Sequence, residues 1–289
     1  MNSLEATHPW LAFVLRRTVR LLVSLFAVGS VVFFMISLVP GDPVRAALGP
    51  TAPVSLVEQR RAALGLDKPL VVQFLDYWRR LFTGQLGTSI SSDRPVSQIV
   101  GERIANSAEL IGIAILLTLV LAVAIGMTFG AVTHNGRRPR TLIGFTVVSS
   151  ALNTIPSFLF GILLVFVFAV SLKLLPVAGS TGFQSLILPA VALCLGPAAG
   201  LARIVRSQTD VVLSEDYMRV ARGKRLPKRL IYLRHALPNL LTSALTIGGL
   251  LLGVLVAGSV VVETVFARAG LGTAIVQAIT DRDYPLVQG

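Results

Sequence analysis

What this chain of 289 residues has little of narrows its class before any motif is read. Charge is scarce: Asp, Glu, Lys and Arg make up 14% of the residues, against roughly a quarter in soluble domains. Apolar residues make up 54%, and the mean hydropathy is +0.77. A water-soluble fold this apolar would expose patches it could not cover, so composition implies an integral membrane protein. Cysteine occurs once, as Cys194, which excludes a disulfide framework within the chain and fits a small packing residue. The three histidines, His8, His134 and His235, are far apart, none is in mid-span, and no Cys/His spacing suits zinc. The sequence holds no Gly-x-x-x-x-Gly-Lys-Ser/Thr phosphate cradle, no His-Glu-x-x-His and no Gly-x-Ser-x-Gly elbow, so no motif supports an enzymatic role.

Acids are nearly absent from the apolar runs as well. Carboxylates at depth usually mark ion or proton pathways, because each charge there is costly. Here Glu109 and Glu263 sit only at run edges. Asn153, beside the helix-perturbing Pro156 in SSALNTIPSF, is the clearest polar group at depth, as an interhelical hydrogen bond or a substrate contact. A stand-alone secondary transporter, the alternative function, would show more buried carboxylates. The absence points to an energy source outside this chain.

Five runs are long enough to cross a bilayer core of about 30 Å as helices: 21–39, 108–132, 142–170, 186–201 and 240–262. They are continuously apolar rather than alternating, which argues for helices over a barrel and makes the fold class all-α and polytopic. The fourth is short and holds Pro189, Gly196 and Pro197, and it spans by continuing into the amphipathic 202–213. Arg16, Arg17 and Arg20 precede the first run, as in a secretory signal, but the run is too long for one and no small-x-small site follows. It is read as an uncleaved span. Gly126 with Gly130, Gly196 with Gly200 and Gly249 with Gly253 have the spacing that lets membrane helices approach closely.

Lys and Arg in short loops set the orientation. Three precede the first run, three lie in 133–141, and nine lie in 202–239, whereas 171–185 has only Lys173. The N-terminus and 202–239 are therefore expected in the cytoplasm, and segments 40–107 and 263–289 outside. Five spans leave the tail outside and too short to cross, so a sixth span is expected beyond Gly289. In 40–107, Gly41-Asp42-Pro43 marks a turn, and Leu56, Ala63 and Leu64 share a helical face. The aromatics Phe74, Tyr77, Trp78 and Phe82 suit a membrane-interface belt or an external partner.

Segment 202–239 is the most informative stretch. Ser214 is placed to cap a helix over about 215–225, with Glu215 and Asp216 in its first turn and Glu215 four residues before Arg219. Pro227 suits the start of a second short helix to about Ala236, which Pro238 ends. The pair would expose Tyr217, Met218 and Leu226 among arginines. The net charge of +12 would suit nucleic acid, but no groove-reading motif accompanies it. Anionic membrane lipid explains the charge, at about 1 kcal/mol per residue, but not the capping or the prolines. Docking onto a protein partner explains all three.

The same stretch, SEDYMRVARGKRLPKRLIYLRHALPN, closely resembles the coupling loop of binding-protein-dependent ABC importer permeases of the dipeptide/oligopeptide type. Glu215, Asp216, Tyr217, Arg219, Ala221, Arg222, Lys224, Leu226, Arg234, His235, Ala236, Leu237 and Asn239 match its pattern, while Arg225 stands where the motif glycine normally falls, with Gly223 two residues earlier. LVPGDPV, LGLDKPLVVQF and VVETVFARAGLG with DRDYPLVQG resemble the same subtype, so the likeness covers nearly the whole chain. The resemblance implies a type I ABC importer transmembrane domain in a bacterial cytoplasmic membrane. It implies a second homologous permease, two ATP-binding subunits or one fused ATPase, and an extracytoplasmic substrate-binding protein. ATP and magnesium would be held by the ATPase, leaving no cofactor in this chain. The cargo would be di- or oligopeptides, or a related cargo such as haem or nickel complexes. Glu215, Asp216, Tyr217, Arg219, Ala221, Arg222, Lys224, Arg225, Leu226, His235, Leu237 and Pro238 would carry ATPase coupling.

Overall fold

A computed structural model describes residues 9–38, 41–49, 51–180 and 182–289. Val39, Pro40 and His8 lie outside the described residues, so the last residue of the first run and part of LVPGDPV are not compared. Among the described residues the structure is helical, with one isolated bridge between Thr88 and Pro95. Two compact units divide the chain: the residues up to Gly101 together with Gln277–Gly289, and Glu102–Val276.

The first unit is built on α1, Pro9–Ser37, with the short helices α2, Pro43–Leu48, α3, Val54–Leu64, and α4, Leu70–Thr83. Asp42 caps α2 by accepting from the Val44 amide at 3.0 Å, with Pro43 pre-set for the first turn. Asp42 also pairs with Arg61 of α3. Partial burial pushes the Asp42 carboxyl up, but the Arg61 side chain and the Val44 amide outweigh it and hold it below the ordinary value. The predicted face of α3 is not the one that packs: Val57 is buried, while Leu56 and Ala63 are exposed. The aromatics of α4 have a partner that neither expected role supplies. Trp78 stacks on Phe26 of α1 at 4.7 Å, Phe74 on Phe34 at 5.4 Å and Tyr77 on Phe33 at 5.5 Å. Gly29 permits this, since a Cβ there would fall 2.9 Å from the Trp78 ring. Phe82, at the edge of the cluster 5.7 Å from Trp78, stays 79% exposed.

The second unit is organised around one buried helix. It takes in α5, Val96–Thr133, from Glu102 onward, α6, Pro139–Thr154, and α7, Ser157–Ser171. After these come α8, Gln184–Ser214, the short α9, Asp216–Gly223, and α10, Lys228–Val265; α11, Leu271–Thr280, crosses the boundary between the units. The α8 helix carries the fourth run and residues 202–213 in one piece, and α6, α7 and α10 pack on it. Cys194 lies in its core with Leu193 and Phe160. Gly126 and Gly130 let α5 close on α8: a Cβ would sit 2.6 Å from the Ala202 carbonyl oxygen or 2.5 Å from the Thr209 Cβ. Gly249 and Gly253 make no such approach, for a Cβ at either meets nothing within 4 Å.

The run 142–170 is not one straight span. α6 and α7 are bent by 94° at Ile155–Pro156. Pro156 has no N–H to continue α6 and forces Ile155 extended, at φ −70 and ψ 125. The side chain of Asn153, just before the break, has no hydrogen-bond partner among the described residues, so the expected interhelical bond is not seen there.

The turn after α10 explains ETVFARAGLG. The fully buried Glu263 carboxylate accepts from Ser107 Oγ at 2.6 Å and from the Gly272 amide at 2.7 Å, and Ser107 Oγ accepts from the Leu271 amide at 2.8 Å. An acidic group thus caps the N-terminus of α11 and ties it to α5. Arg268, also fully buried, reaches Glu109 at 3.0 Å. A Cβ on Gly272 would lie 2.5 Å from the Val260 Cα.

Two glycine substitutions separate close packing from mere presence. Gly272→Ala is expected to destabilise the chain by about 1–3 kcal/mol. Gly249→Ala, in open space, is expected to be neutral or to stabilise by up to about 1 kcal/mol. Thermal unfolding of the two variants in one detergent compares them, and equal shifts would contradict the packing described.

Candidate functional site

The α8 helix ends at Ser214, and Glu215, extended at φ −62 and ψ 149, starts α9. Ser214 is not the cap: its hydroxyl donates back to the Asp210 carbonyl at 2.9 Å, and α9 begins without a side-chain cap. The expected Glu215–Arg219 pair is replaced by Arg219 with Asp216 at 3.0 Å. Both groups are largely exposed, so the pair contributes little.

What fixes α9 is apolar. Met218 is 0% exposed and Ala221 4%, packed with Leu213, Ile231, Ala236 and Leu240 and flanked by Leu226. Met218 was expected outside, and it is the anchor instead. Arg222 donates from Nη2 to the Leu213 carbonyl at 2.7 Å, satisfying an acceptor in the last turn of α8. The face left open carries Tyr217, Arg219 and Val220, with Val220 57% exposed. Tyr217 OH accepts from Asn239 Nδ2 at 3.0 Å, and the same amide donates to the His235 carbonyl at 3.0 Å.

After α9 the chain turns through Lys224 and Arg225. Arg225 takes φ +54, the left-handed conformation that suits the motif glycine it replaces. Pro227 then starts α10, but Pro238 does not end a helix. Lys228–Val265 is continuous, and a π-helical turn over Ile231–Ala236 precedes the proline. That wider turn accommodates a ring with no N–H to offer the Arg234 carbonyl. Leu237 packs on the Phe145 cluster, and Pro238 is exposed.

One supporting contact has no local signal in the sequence. His134 Nδ1 meets Asp210 Oδ1 at 2.8 Å across 76 positions, and the Asn135 amide donates to the same oxygen at 3.3 Å. Arg206 donates from Nε and Nη2 to Thr133 Oγ1 at 3.0 and 2.8 Å. These bonds hold the turn after α5 to α8 about two to three turns before α9.

Several long apolar helices packed on a buried central one, with a short amphipathic helix mounted at its end, make a polytopic membrane fold. Residues 122–289 match the family "Binding-protein-dependent transport system inner membrane component", and residues 10–122 match "Binding-prot-dependent transport system membrane comp, N-term". The chain is 39% identical over 280 residues to the glutathione transport system permease protein GsiC of Salmonella typhimurium, an alignment that covers 96% of this chain and 90% of that protein. The same permease of Pectobacterium atrosepticum is 39% identical over 278 residues, and that of Escherichia coli K12 38% over 280, with the same shares covered. The chain belongs to this family: it is an ABC importer permease of the dipeptide/oligopeptide type, with the type I importer transmembrane fold. Membership brings with it a partner ATPase, a substrate-binding protein and a multi-pass place in the inner membrane.

Two substitutions test the mounting of α9. Met218→Ala is expected to cost about 2–5 kcal/mol, as for other buried truncations. Arg225→Gly is expected to stabilise by about 1 kcal/mol by relieving the left-handed arginine. Chemical or thermal melts of the purified chain would read both, and a destabilising Arg225→Gly would contradict the turn.

Proposed function

We propose that this chain is one half of the pore of an ATP-driven importer for small peptides, and that α9 is where a separate ATPase drives it. The supporting observation is the mounting of α9: a buried Met218–Ala221 face, a bond to the last turn of α8, and an open face of Tyr217, Arg219 and Val220. A helix held this firmly transmits a push rather than absorbing it. Closure of the ATPase pair on ATP moves α9, and α8 carries the movement into the bundle. Leu237, packed on the Phe145 cluster, then acts by placing α10.

The partner set in this reading is a second homologous permease, two ATP-binding subunits or one fused ATPase, an extracytoplasmic binding protein, and surrounding lipid. ATP and magnesium bind on the ATPase, and hydrolysis occurs there. The N-terminus and residues 202–239 face the cytoplasm, and 40–107 and 263–289 face outward. Relatives named for glutathione transport favour a peptide cargo, with haem or nickel complexes as the related classes that a different binding protein would select. Family membership sets the stand-alone secondary carrier aside.

Val220→Asp puts an acid on the open face of α9 without touching the anchor. ATP-driven peptide uptake by the reconstituted importer is expected to fall about tenfold or more, the size of one interface hot spot. The melt of the chain should move by less than about 0.5 kcal/mol. Normal uptake by this variant contradicts the coupling role of α9.

A further inference from the structure

An open groove of about 520 Å³ lies along α8, walled by α6 and α10. The α10 wall is apolar, with Ile247 and Leu251. The α8 wall adds the apolar Pro197, Leu201 and Ile204, and among them stand four polar side chains: Asn153 from α6, and Arg203, Ser207 and Gln208 from α8. Gly200, Arg203 and Ser207 recur three and four apart along one stripe of α8, with Gln208 beside Ser207, and the adjoining buried stripe of Leu201, Ala202, Val205 and Thr209 reaches the groove at Leu201. Gly200 makes room for the Asn153 amide, because a Cβ there would fall 2.6 Å from Asn153 Oδ1.

Among the described residues Arg203 is the only charge in this wall. Its Nη1 donates to Ser150 Oγ at 2.7 Å, while its Nε is shielded from solvent and has no hydrogen-bond partner. Among the described residues no carboxylate pairs with it. Arg206, one turn further on, is spent on Thr133, and the buried Arg268 reaches Glu109. Arg203 therefore keeps an unpaired donor where Arg206 has placed two on Thr133, although the buried Arg268 also leaves Nε and Nη1 unpaired.

The groove also argues about its occupant. An apolar helix laid into it would strand the guanidinium and three neutral polar groups in a dry environment, which is costly. A hydrated anion satisfies them. A guanidinium presents its N–H groups as a planar fork that fits a carboxylate and binds it more strongly than a neutral group does.

We propose that Arg203 is a carboxylate-binding subsite on the translocation path, taking a free carboxylate of the passing peptide. Asn153, Ser207 and Gln208 bond the peptide's amide groups, and Ile247 and Leu251 accept its apolar parts. This rests on the importer reading above. Polar groups flanking one cation give a site that holds a peptide briefly and releases it, as a path must.

The test uses the importer assembled with its ATPase and binding protein in proteoliposomes, with glutathione, a tripeptide bearing two carboxylates, as probe. If the unmodified importer fails to take up glutathione with ATP, the proposed cargo fails, and the second arm still decides the role of Arg203. Where uptake occurs, Arg203→Gln is expected to lower it about tenfold or more, with Arg203→Lys less affected. In the second arm Ser207→Cys is labelled with an anionic sulfonate and a cationic ammonium thiol reagent of like size, the native Cys194 being buried. The anionic reagent is expected to react several-fold faster, and adding Arg203→Gln should erase the difference. Unchanged uptake in Arg203→Gln overturns the proposal. So does an introduced thiol at position 207 that neither reagent reaches in any nucleotide state, which would mean that a partner helix fills the groove, or one that both reach equally.

Discussion

The burial of α8 is the constraint on which the second unit depends. In a membrane each helix satisfies its own backbone, so what holds helices together is close side-chain packing. The α8 helix supplies it with small residues, Ala190, Ala192, Ala198 and Ala202 among them, and with Gly130 of α5 closing on Thr209. The same rod runs from the core around Leu193 to the last-turn carbonyl of Leu213 that Arg222 holds. A displacement at α9 therefore reaches the level of Arg203 through covalent helix rather than through loops. The opposite end is pinned separately, by Glu263 capping α11 and by Arg268 on Glu109.

Much of this was legible in the sequence. Four of the five apolar runs lie on helices long enough to cross a membrane, and hydrophobic continuity is the signal such a helix leaves. The continuation of the fourth run into 202–213 followed from its amphipathic period. The family likeness in 202–239 rested on residues that the comparisons then placed in that family.

What escaped the reading has physical causes. A proline inside an apolar run can kink, break or be absorbed, and only the surrounding geometry decides. Pro156 breaks its run by 94°, whereas Pro238 is absorbed by a π-helical turn. Met218 and Tyr217 stand side by side on a helix of eight residues, too short for the pattern to say which face is inward. The α4 aromatics found α1, and His134 found Asp210, through contacts distant in sequence and invisible to local spacing. Ser214 had the composition of a cap, but the Asp210 carbonyl behind it competed successfully for its hydroxyl.

The account stands or falls on what covers the open face of α9. Val220→Cys, in the importer purified with its ATPase, can be joined by a short thiol-to-thiol cross-linker to cysteines introduced across the ATPase surface, and the products identified by mass spectrometry. The account predicts a cross-link from position 220 to a defined groove on the ATPase, with little from the exposed Leu245→Cys on the apolar part of α10. An intact complex in which position 220 joins no ATPase cysteine, or joins it no better than position 245, would contradict it.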